Sequence, residues 1–325
     1  MAANQLRIIT FPRLHLTLLA MNSGEYRING GIGFSVGAPA CEFVFSVAAD
    51  FLFEDHRTDP LSGHELDHLY SILQTERQRQ GFSDAITVSI RGEMRTHSGF
   101  GSGTAISLAC LEALHLMNGS TPTEETLISA SGRGGTSGVG IHTYFSGGCV
   151  FDLGRRGGVH APSHRIANAQ APLVVDHLLM PAWDIGLCIP STIPHKTQAE
   201  EQAFFDKTCP LSDSAVYETV YHTLFGLYAA IREADRLTFC RALRAVQDCA
   251  WKKAERNEYG TALAEIEHAL YACGADAVGM SSLGPSLFFL ADDVSAVVDD
   301  MRKIRPDCEC MLTHPVNHGR SVRFD

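Results

Sequence analysis

The glycines of this chain are concentrated in four short segments, and this clustering constrains the fold more than any other feature of the sequence. With serines and threonines, they mark the segments 13–36, 97–109, 131–148 and 279–289. Glycine has no Cβ, so the backbone can turn through positive φ and can approach a ligand closely. We therefore expect a site built largely from backbone loops.

The second and third segments have the pattern of anion-binding loops. HSGFGSGTAISLA (97–109) runs from a Gly/Ser loop into an apolar helix, predicted over 104–119. Free N–H groups and the dipole at a helix N-terminus favour an anion, often phosphate. SGRGGTSGVGIHTYFSGG (131–148) can form a nest of N–H donors, and Arg133 can clamp a phosphate or carboxylate. A simple capping loop and a flexible loop are the alternatives.

The other two segments are less specific. Segment 13–36 contains Arg13, His15 and the run Asn29-Gly30-Gly31, which by pattern alone predicts a hairpin with a glycine turn. Segment 279–289, GMSSLGPSLFF, predicts a Gly/Ser turn that enters a strand.

Composition excludes several classes of protein. The chain has 325 residues and a formal net charge of −11, whereas sequence-independent nucleic-acid binding needs a basic surface. No lysine lies in the glycine-rich segments, so a Walker-type lysine is absent. The ten cysteines lie mostly alone in apolar runs, which predicts reduced, buried thiols. With no recognisable signal peptide or membrane helix, we expect a soluble, cytoplasmic protein.

The order of elements predicts an α+β fold. Strands are expected at 6–11, 34–53 and 85–92, and a helix over 62–80. Helices are expected in the second half at 214–233, 236–255, 259–273 and 293–304, between short strands. A stretch rich in Gly, Pro, Ser and Ala (155–172) predicts a boundary near 168, which gives domains 1–168 and 169–325.

Taken in order, HSGFGSGTA, SGRGGTSGVG…GGCVFD and GMSSLGPS resemble the β-ribofuranosylaminobenzene 5′-phosphate synthase family. That family has the fold of the galactokinase–homoserine kinase–mevalonate kinase (GHMP) superfamily and includes C-nucleoside synthases of the formycin and pyrazofurin type. The resemblance covers nearly the whole chain, with GRGGTSG as its most specific motif. It implies a two-domain GHMP-kinase-like fold, ribosomal-S5-like at the N-terminus and ferredoxin-like at the C-terminus.

One position separates this sequence from the kinases of that superfamily. Their third region typically reads Ser-Gly-x-Asp, six residues, Gly-Gly, and the acidic residue is the usual catalytic candidate. This chain has Ser137-Gly138-Val139-Gly140 followed, six residues on, by Gly147-Gly148. Glycine at position 140 cannot accept a proton, which disfavours phosphoryl transfer from ATP. A GHMP-type, ATP-dependent small-molecule kinase is the alternative prediction.

The resemblance implies a transfer of ribose 5-phosphate from 5-phosphoribosyl 1-pyrophosphate (PRPP). The acceptor is a ring carbon of an aromatic or pyrazole carboxylic acid, and pyrophosphate and CO₂ are lost. Three departures, at Ala20, at Phe100 and at Asp152-Leu153-Gly154-Arg155, leave both a pyrazole dicarboxylate and a 4-substituted benzoate open as acceptors. Mg²⁺ is the expected cofactor. We expect a homodimer without nucleic-acid or membrane partners.

The resemblance also implies roles for individual residues. One phosphate-binding set is Gly99, Gly101, Ser102, Gly103 and Thr104; a second is Arg133, Gly134, Gly135, Thr136, Ser137 and Gly138. Ser281, Ser282 and Gly284 are expected to close the pocket, and Arg13, His15, Asn29, Gly30 and Gly31 to bind ribose or the acceptor. Arg133, Asp152 and His97 are the catalytic candidates, with Asp152 also the candidate metal ligand.

Overall fold

A computed structural model describes residues 5–133, 137–157 and 171–325 as β-strands and helices in mixed layers, which confirms the predicted α+β class. The strands are β1 (Leu6–Thr10), β2 (Arg13–Ala20), β3 (Arg27–Ser35), β4 (Cys41–Ala48), β5 (Leu52–Asp55), β6 (Ala85–Gly92), β7 (Cys149–Asp152), β8 (Arg155–Arg156), β9 (Val174–Leu178), β10 (Ile185–Pro190), β11 (Ala277–Met280), β12 (Leu287–Leu290), β13 (Cys308–Thr313) and β14 (Ser321–Phe324).

The helices lie between these strands and cover their faces. They are α1 (Gly63–Gln80), α2 (Ser102–Met117), α3 (Glu124–Ser131), α4 (Val139–Ser146), α5 (Gln198–Thr208), α6 (Asp213–Tyr221), α7 (Ala229–Glu233), α8 (Arg236–Asp248), α9 (Ala250–Asn257), α10 (Gly260–Ala272) and α11 (Val294–Ile304). The predicted helix 214–233 contains a π-helical stretch, His222–Tyr228, between α6 and α7. The predicted helix 236–255 is interrupted at Cys249, where the backbone is extended.

Three sheets organise the strands, with orders β14-β1-β4-β6-β5, β2-β3-β7-β9 and β11-β12-β10-β13, and β8 beside β3. β9 pairs with β7, and β14 pairs with β1. Strands from the second half of the chain therefore complete sheets begun by the first half. The predicted boundary near 168 lies outside the described residues, and the division into two domains stays a prediction.

Helix α2 lies in the core between these layers. Its apolar side chains are buried all round, as for Leu108, Cys110 and Leu114, which is typical of an internal helix. Its one carboxylate, Glu112, accepts hydrogen bonds from the Tyr144 hydroxyl at 2.6 Å and from the Arg320 guanidinium. These bonds satisfy the buried charge and tie the segment before β14 to the core.

The predicted glycine turn at Asn29–Gly31 is wrong. These residues lie inside β3, paired with β2 on one side and β7 on the other. Asn29 and Gly30 have φ values of 65° and 82°, and a Cβ on Gly30 would lie 2.7 Å from the Asp152 carbonyl oxygen. Glycine is thus required for close backbone packing within the sheet, not for reversing the chain.

The ten cysteines are free thiols and most are buried, as predicted from their apolar surroundings. Across the described residues, every helix is too short or too polar to cross a membrane.

Two glycine-rich loops, 97–101 and 281–284, pack against each other across β2. Ser281 Oγ donates to the Gly99 carbonyl at 2.7 Å and accepts from the His15 N–H at 3.1 Å. The Ser282 N–H donates to the His15 carbonyl at 3.1 Å. A Cβ on Gly99 would lie 2.1 Å from the Ser281 carbonyl oxygen, and one on Gly284 would lie 2.2 Å from the Gly99 nitrogen. We call this contact the loop clip.

We predict that Gly99→Ala destabilises the protein by about 2–4 kcal/mol, because the new methyl would overlap backbone and φ is +88°. Chemical denaturation measures the effect. Gly63→Ala is the control, because a Cβ there meets nothing within 4 Å. Equal stability of the two variants would contradict the loop clip.

Candidate functional site

A cleft of about 1050 Å³ opens beside the loop clip and collects most of the predicted site residues. The predicted residues that line it are Arg13, His15, His97, Gly99, Gly101, Ser102, Gly103, Thr104, Arg133, Ser137, Ser282 and Gly284. The structure therefore brings the second, third and fourth glycine-rich segments together with the start of the first. Gly134, Gly135 and Thr136 lie outside the described residues.

The N-terminus of α2 forms one wall of this cleft. Gly101 is the N-cap residue with φ 79°, and the cap has no side-chain hydrogen bond and no acidic residue in the first turn. The first N–H groups of a helix have no partner within it, so they remain available to an anion. Arg133 Nη2 lies 3.2 Å from the position that a Cβ on Gly103 would occupy. A guanidinium and a helix N-terminus therefore face the same space.

Arg13 links the strand β2 to the same loop. Its N–H donates to the Phe100 carbonyl at 3.0 Å, and its guanidinium donates to the Gly99 carbonyl. Burial lowers the pKa of Arg13 to about 10, and Glu201 and Glu255 partly oppose this shift. The side chain stays cationic at neutral pH and supplies a second fixed positive charge.

His15 lies deeper, and it is neutral. Burial lowers its pKa well below 6.5, and the charges of Arg13 and Lys252 lower it further. A Cβ on Gly31 would lie 2.8 Å from His15 Nε2, so the glycine makes room for the imidazole. Gly31 thus supports the site from the neighbouring strand without lining the cleft.

His97 stands at the mouth of the cleft in a fixed position. Its Nε2 lies 2.8 Å from Glu65 Oε1, and its ring stacks on that of His195 with centroids 5.7 Å apart. Glu65 also completes the capping box of α1 with Ser62. The bond to Glu65 raises the pKa of His97 above 6.5. Burial would raise the pKa of Glu65, but the bonds from His97 and Ser62 lower it to about 2.

Asp152 lies behind the cleft rather than in it. Its Oδ2 accepts from Ser137 Oγ at 2.8 Å and from the Gly138 N–H at 3.0 Å, and its Oδ1 accepts from the Gly154 N–H at 2.8 Å. Burial raises its pKa to about 6 in spite of these bonds. The carboxylate thus holds the start of α4 in place, and both of its oxygens are already occupied.

Four more predicted residues are placed beside the cleft but not on its surface. Ser281 is fully buried in the loop clip, and Gly138 serves as the N-cap of α4. Asn29 and Gly30 lie inside β3. None of the four lines the cleft, and their predicted roles in binding stay predictions.

Sequence reasoning missed several charged residues of the cleft region, among them Glu65, Glu201, Glu255 and Lys252. Glu201 and Glu255 line the cleft from α5 and α9. Lys252 is fully buried beneath them, and its Nζ donates to Glu255 Oε2 at 2.5 Å and to the Met280 carbonyl at 2.8 Å. Glu201, Glu255 and Lys252 lie on polar helices far along the chain, and no motif marks them.

Gly140 lines the cleft in the first turn of α4. A Cβ there would lie 3.6 Å from Arg13 Nε and 3.8 Å from Thr104 Oγ1, which are ordinary contact distances. There is room for a side chain at this position, so packing alone does not require the glycine.

We predict that Glu65→Gln lowers the pKa of His97, because the imidazolium loses its anionic partner. Histidine-ring NMR signals followed against pH measure this. Glutamine can still complete the capping box, and Asp67→Asn on the exposed face of α1 is the charge-matched control. Equal His97 titration in all three proteins would contradict the pairing.

The same pair predicts a pH dependence of stability. His97 stabilises fully below its ordinary value of 6.5, and this contribution is lost as pH rises through its higher folded pKa. Glu65 contributes above its ordinary 4.5, and this contribution is lost as pH falls toward 2. The difference in unfolding free energy between wild type and Glu65→Gln should therefore be largest between these two ordinary values and shrink in alkali.

Comparison with known proteins agrees with the geometry. The GHMP kinase N-terminal domain family matches residues 67–146, a range that contains α2, the whole second glycine-rich segment and most of the third. Homoserine kinase from Cytophaga hutchinsonii has the same fold, with a TM-score of 0.69 and 16% identity over 99% of this chain and 98% of that one.

Two archaeal relatives align with nearly all of the chain. A β-ribofuranosylphenol 5′-phosphate synthase from Archaeoglobus fulgidus is 28% identical over 98% of this chain and 99% of its own length. One from Methanothermobacter thermautotrophicus is 27% identical over 89% of both. The resemblance inferred from the glycine-rich motifs is thereby confirmed: this chain is similar along nearly its whole length to β-ribofuranosylphenol 5′-phosphate synthases, and it has the fold of the GHMP kinases.

Proposed function

We propose that the protein is a PRPP-dependent C-ribosyltransferase that joins ribose 5-phosphate to a ring carbon of an aromatic or heteroaromatic carboxylic acid. One observation carries the proposal: the cleft combines the α2 N-terminus, Arg13 and Arg133, yet has glycine at position 140. It can hold phosphate groups but has no acid at the position where the kinases carry one. The names of the relatives, which are synthases of a ribofuranosylphenol 5′-phosphate, agree with this chemistry.

PRPP fits the distribution of positive charge in the cleft. It carries a 5′-phosphate and an anomeric pyrophosphate, so it needs two anion-binding regions. The α2 N-terminus with Arg133 supplies one, and Arg13 beside the loop clip supplies a positive charge next to it. Fixed donors of this kind stabilise the negative charge that accumulates on departing pyrophosphate.

The proposed reaction needs no proton acceptor of its own. The C1–O bond of PRPP breaks, and its electron pair leaves with pyrophosphate. A π-electron pair of the acceptor ring forms the new bond to C1. The carboxylate then departs as CO₂, and the electrons of its C–C bond restore aromaticity. The protein holds donor and acceptor together and excludes water from the ribosyl cation, which suits a deep, partly apolar cleft.

Mg²⁺ fits this site only when it is bound together with the phosphates of the substrate. Asp152 already accepts three hydrogen bonds and does not line the cleft, and the described residues contain no cluster of three His, Cys, Asp or Glu side chains that could hold a metal. Proteins often bind Mg²⁺ through substrate phosphates and one or two carboxylates. When bound, the ion would offset charge on the pyrophosphate, and we propose that it enters with PRPP.

Ligand binding separates this proposal from a kinase. We predict that PRPP with Mg²⁺ raises the melting temperature, whereas ATP with Mg²⁺ does not; saturation at about 100 times Kd adds roughly 2.7 kcal/mol of stability. Mass spectrometry with carboxylated phenols, anilines and pyrazoles then tests for a product that has gained ribose 5-phosphate and lost CO₂. Protection by ATP alone would favour the kinase and refute the transferase.

We predict that Arg133→Ala weakens PRPP binding by about 1.5–3 kcal/mol, or roughly 10- to 150-fold, because a charge-assisted hydrogen bond is lost. Isothermal titration calorimetry measures the change. Arg91→Ala removes an exposed arginine from the end of β6 and should leave the affinity unchanged. Unchanged affinity in Arg133→Ala would remove this residue from the site.

A further inference from the structure

Glu201 is a carboxylate placed among cations in the cleft. It projects from α5, and Arg13, Arg133 and His97 line the same cleft and act on it electrostatically. Burial raises its pKa, and these three cations only partly offset the effect. A negative charge here costs free energy before any ligand binds, and it repels phosphate groups.

The other acids of the cleft differ from Glu201 because each has a partner. Glu65 is paired with His97, and Glu255 with Lys252. Within the part of the chain that the structure describes, the Glu201 carboxylate makes neither a hydrogen bond nor an ion pair, although its pKa responds to the charges around it. Its carboxylate is therefore available to a group that donates hydrogen bonds or carries positive charge.

PRPP contains hydrogen-bond donors of this kind, the ribose hydroxyls, between its 5′-phosphate and its pyrophosphate. In PRPP the ribose links the 5′-phosphate to the anomeric pyrophosphate, so a residue surrounded by phosphate-binding cations lies near the sugar. The vicinal 2′- and 3′-hydroxyls are neutral donors, and carboxylates commonly accept hydrogen bonds from ribose hydroxyls. As the C1–O bond breaks, the ribose ring becomes positively charged, and a nearby carboxylate stabilises that charge.

We propose that Glu201 binds the ribose hydroxyls of PRPP and stabilises the positive charge that develops on the ribose ring. This inference rests on the proposed function and assigns the sugar-recognition residue of that same cleft. The carboxylate repels the phosphates of any ligand. Only a ligand that carries the diol offsets this repulsion, because its hydroxyls donate hydrogen bonds to the carboxylate. Glu201 thereby selects a ribosyl donor over pyrophosphate and over a deoxyribosyl donor.

The experiment measures sugar discrimination by calorimetry, with ribose 5-phosphate, 2-deoxyribose 5-phosphate and pyrophosphate with Mg²⁺ as probes. We expect the wild type to bind ribose 5-phosphate about 10-fold more tightly than the deoxy sugar. In Glu201→Ala the ratio of the two affinities should fall to near 1. In Glu201→Gln it should lie between the values of the wild type and Glu201→Ala. Asp206→Asn removes an exposed charge from the same helix and should keep the wild-type ratio.

Pyrophosphate binding serves as the control for a folded site. It should be equal or a few-fold tighter in Glu201→Ala, because a like charge is removed. If wild type and Glu201→Ala have the same ratio of ribose 5-phosphate to 2-deoxyribose 5-phosphate affinity, and both still bind pyrophosphate, the role of Glu201 is overturned and the proposed function is not. Loss of pyrophosphate–Mg²⁺ binding with the sugar ratio kept would place the carboxylate at a metal ion and also overturn it. A wild type that does not bind pyrophosphate would overturn the proposed function itself.

Discussion

The loop clip is the contact on which the cleft depends. Loops from the two halves of the chain are in direct backbone contact there. Ser281 Oγ donates to the Gly99 carbonyl and accepts from the His15 N–H. Because β2 takes part through His15 and Arg13, the same contact sets the position of the neutral imidazole and of the buried guanidinium. The glycines at 99 and 284 are needed for this approach. Their first role is structural, and ligand binding follows from the geometry that they allow.

The charges of the cleft fall into two groups. Some are paired inside the protein: Glu255 with Lys252 and His97 with Glu65. Others, Arg13 and Glu201, form no ion pair among the described residues, and burial shifts the pKa of each toward its neutral form. Buried charge without a partner is expensive, so it is retained where a ligand supplies the compensation. Arg13 and Glu201 therefore indicate more about the charges and hydrogen-bond donors of the substrate than the paired residues do.

The sequence predicted several of the glycine-rich loops that line the cleft because glycine patterns and helix starts are local features. The α2 N-terminus, Arg133 and the Ser282–Gly284 turn were found in this way, and the cleft unites them. Asn29–Gly31 was misjudged because a glycine run that permits close strand packing looks like a turn. The catalytic and metal-binding role of Asp152 stays a prediction, and its hydrogen-bond partners could not be predicted because they depend on the position of the neighbouring loop. Glu201 and Glu255 reach the cleft through tertiary contacts alone, on helices whose sequence has no motif that predicts it.

Gly140 links the fold to the proposed chemistry. A side chain would fit there at ordinary contact distance from Arg13, so steric packing does not explain the glycine. A negative charge beside Arg13 would offset its positive charge and would weaken the binding of a polyphosphate that we propose for it. In the proposed transfer, the electrons of the departing carboxylate restore the acceptor ring, and no group on the protein has to remove a proton from the ring carbon. A cleft that keeps its cations and lacks an acid at position 140 suits a reaction in which negative charge leaves on pyrophosphate.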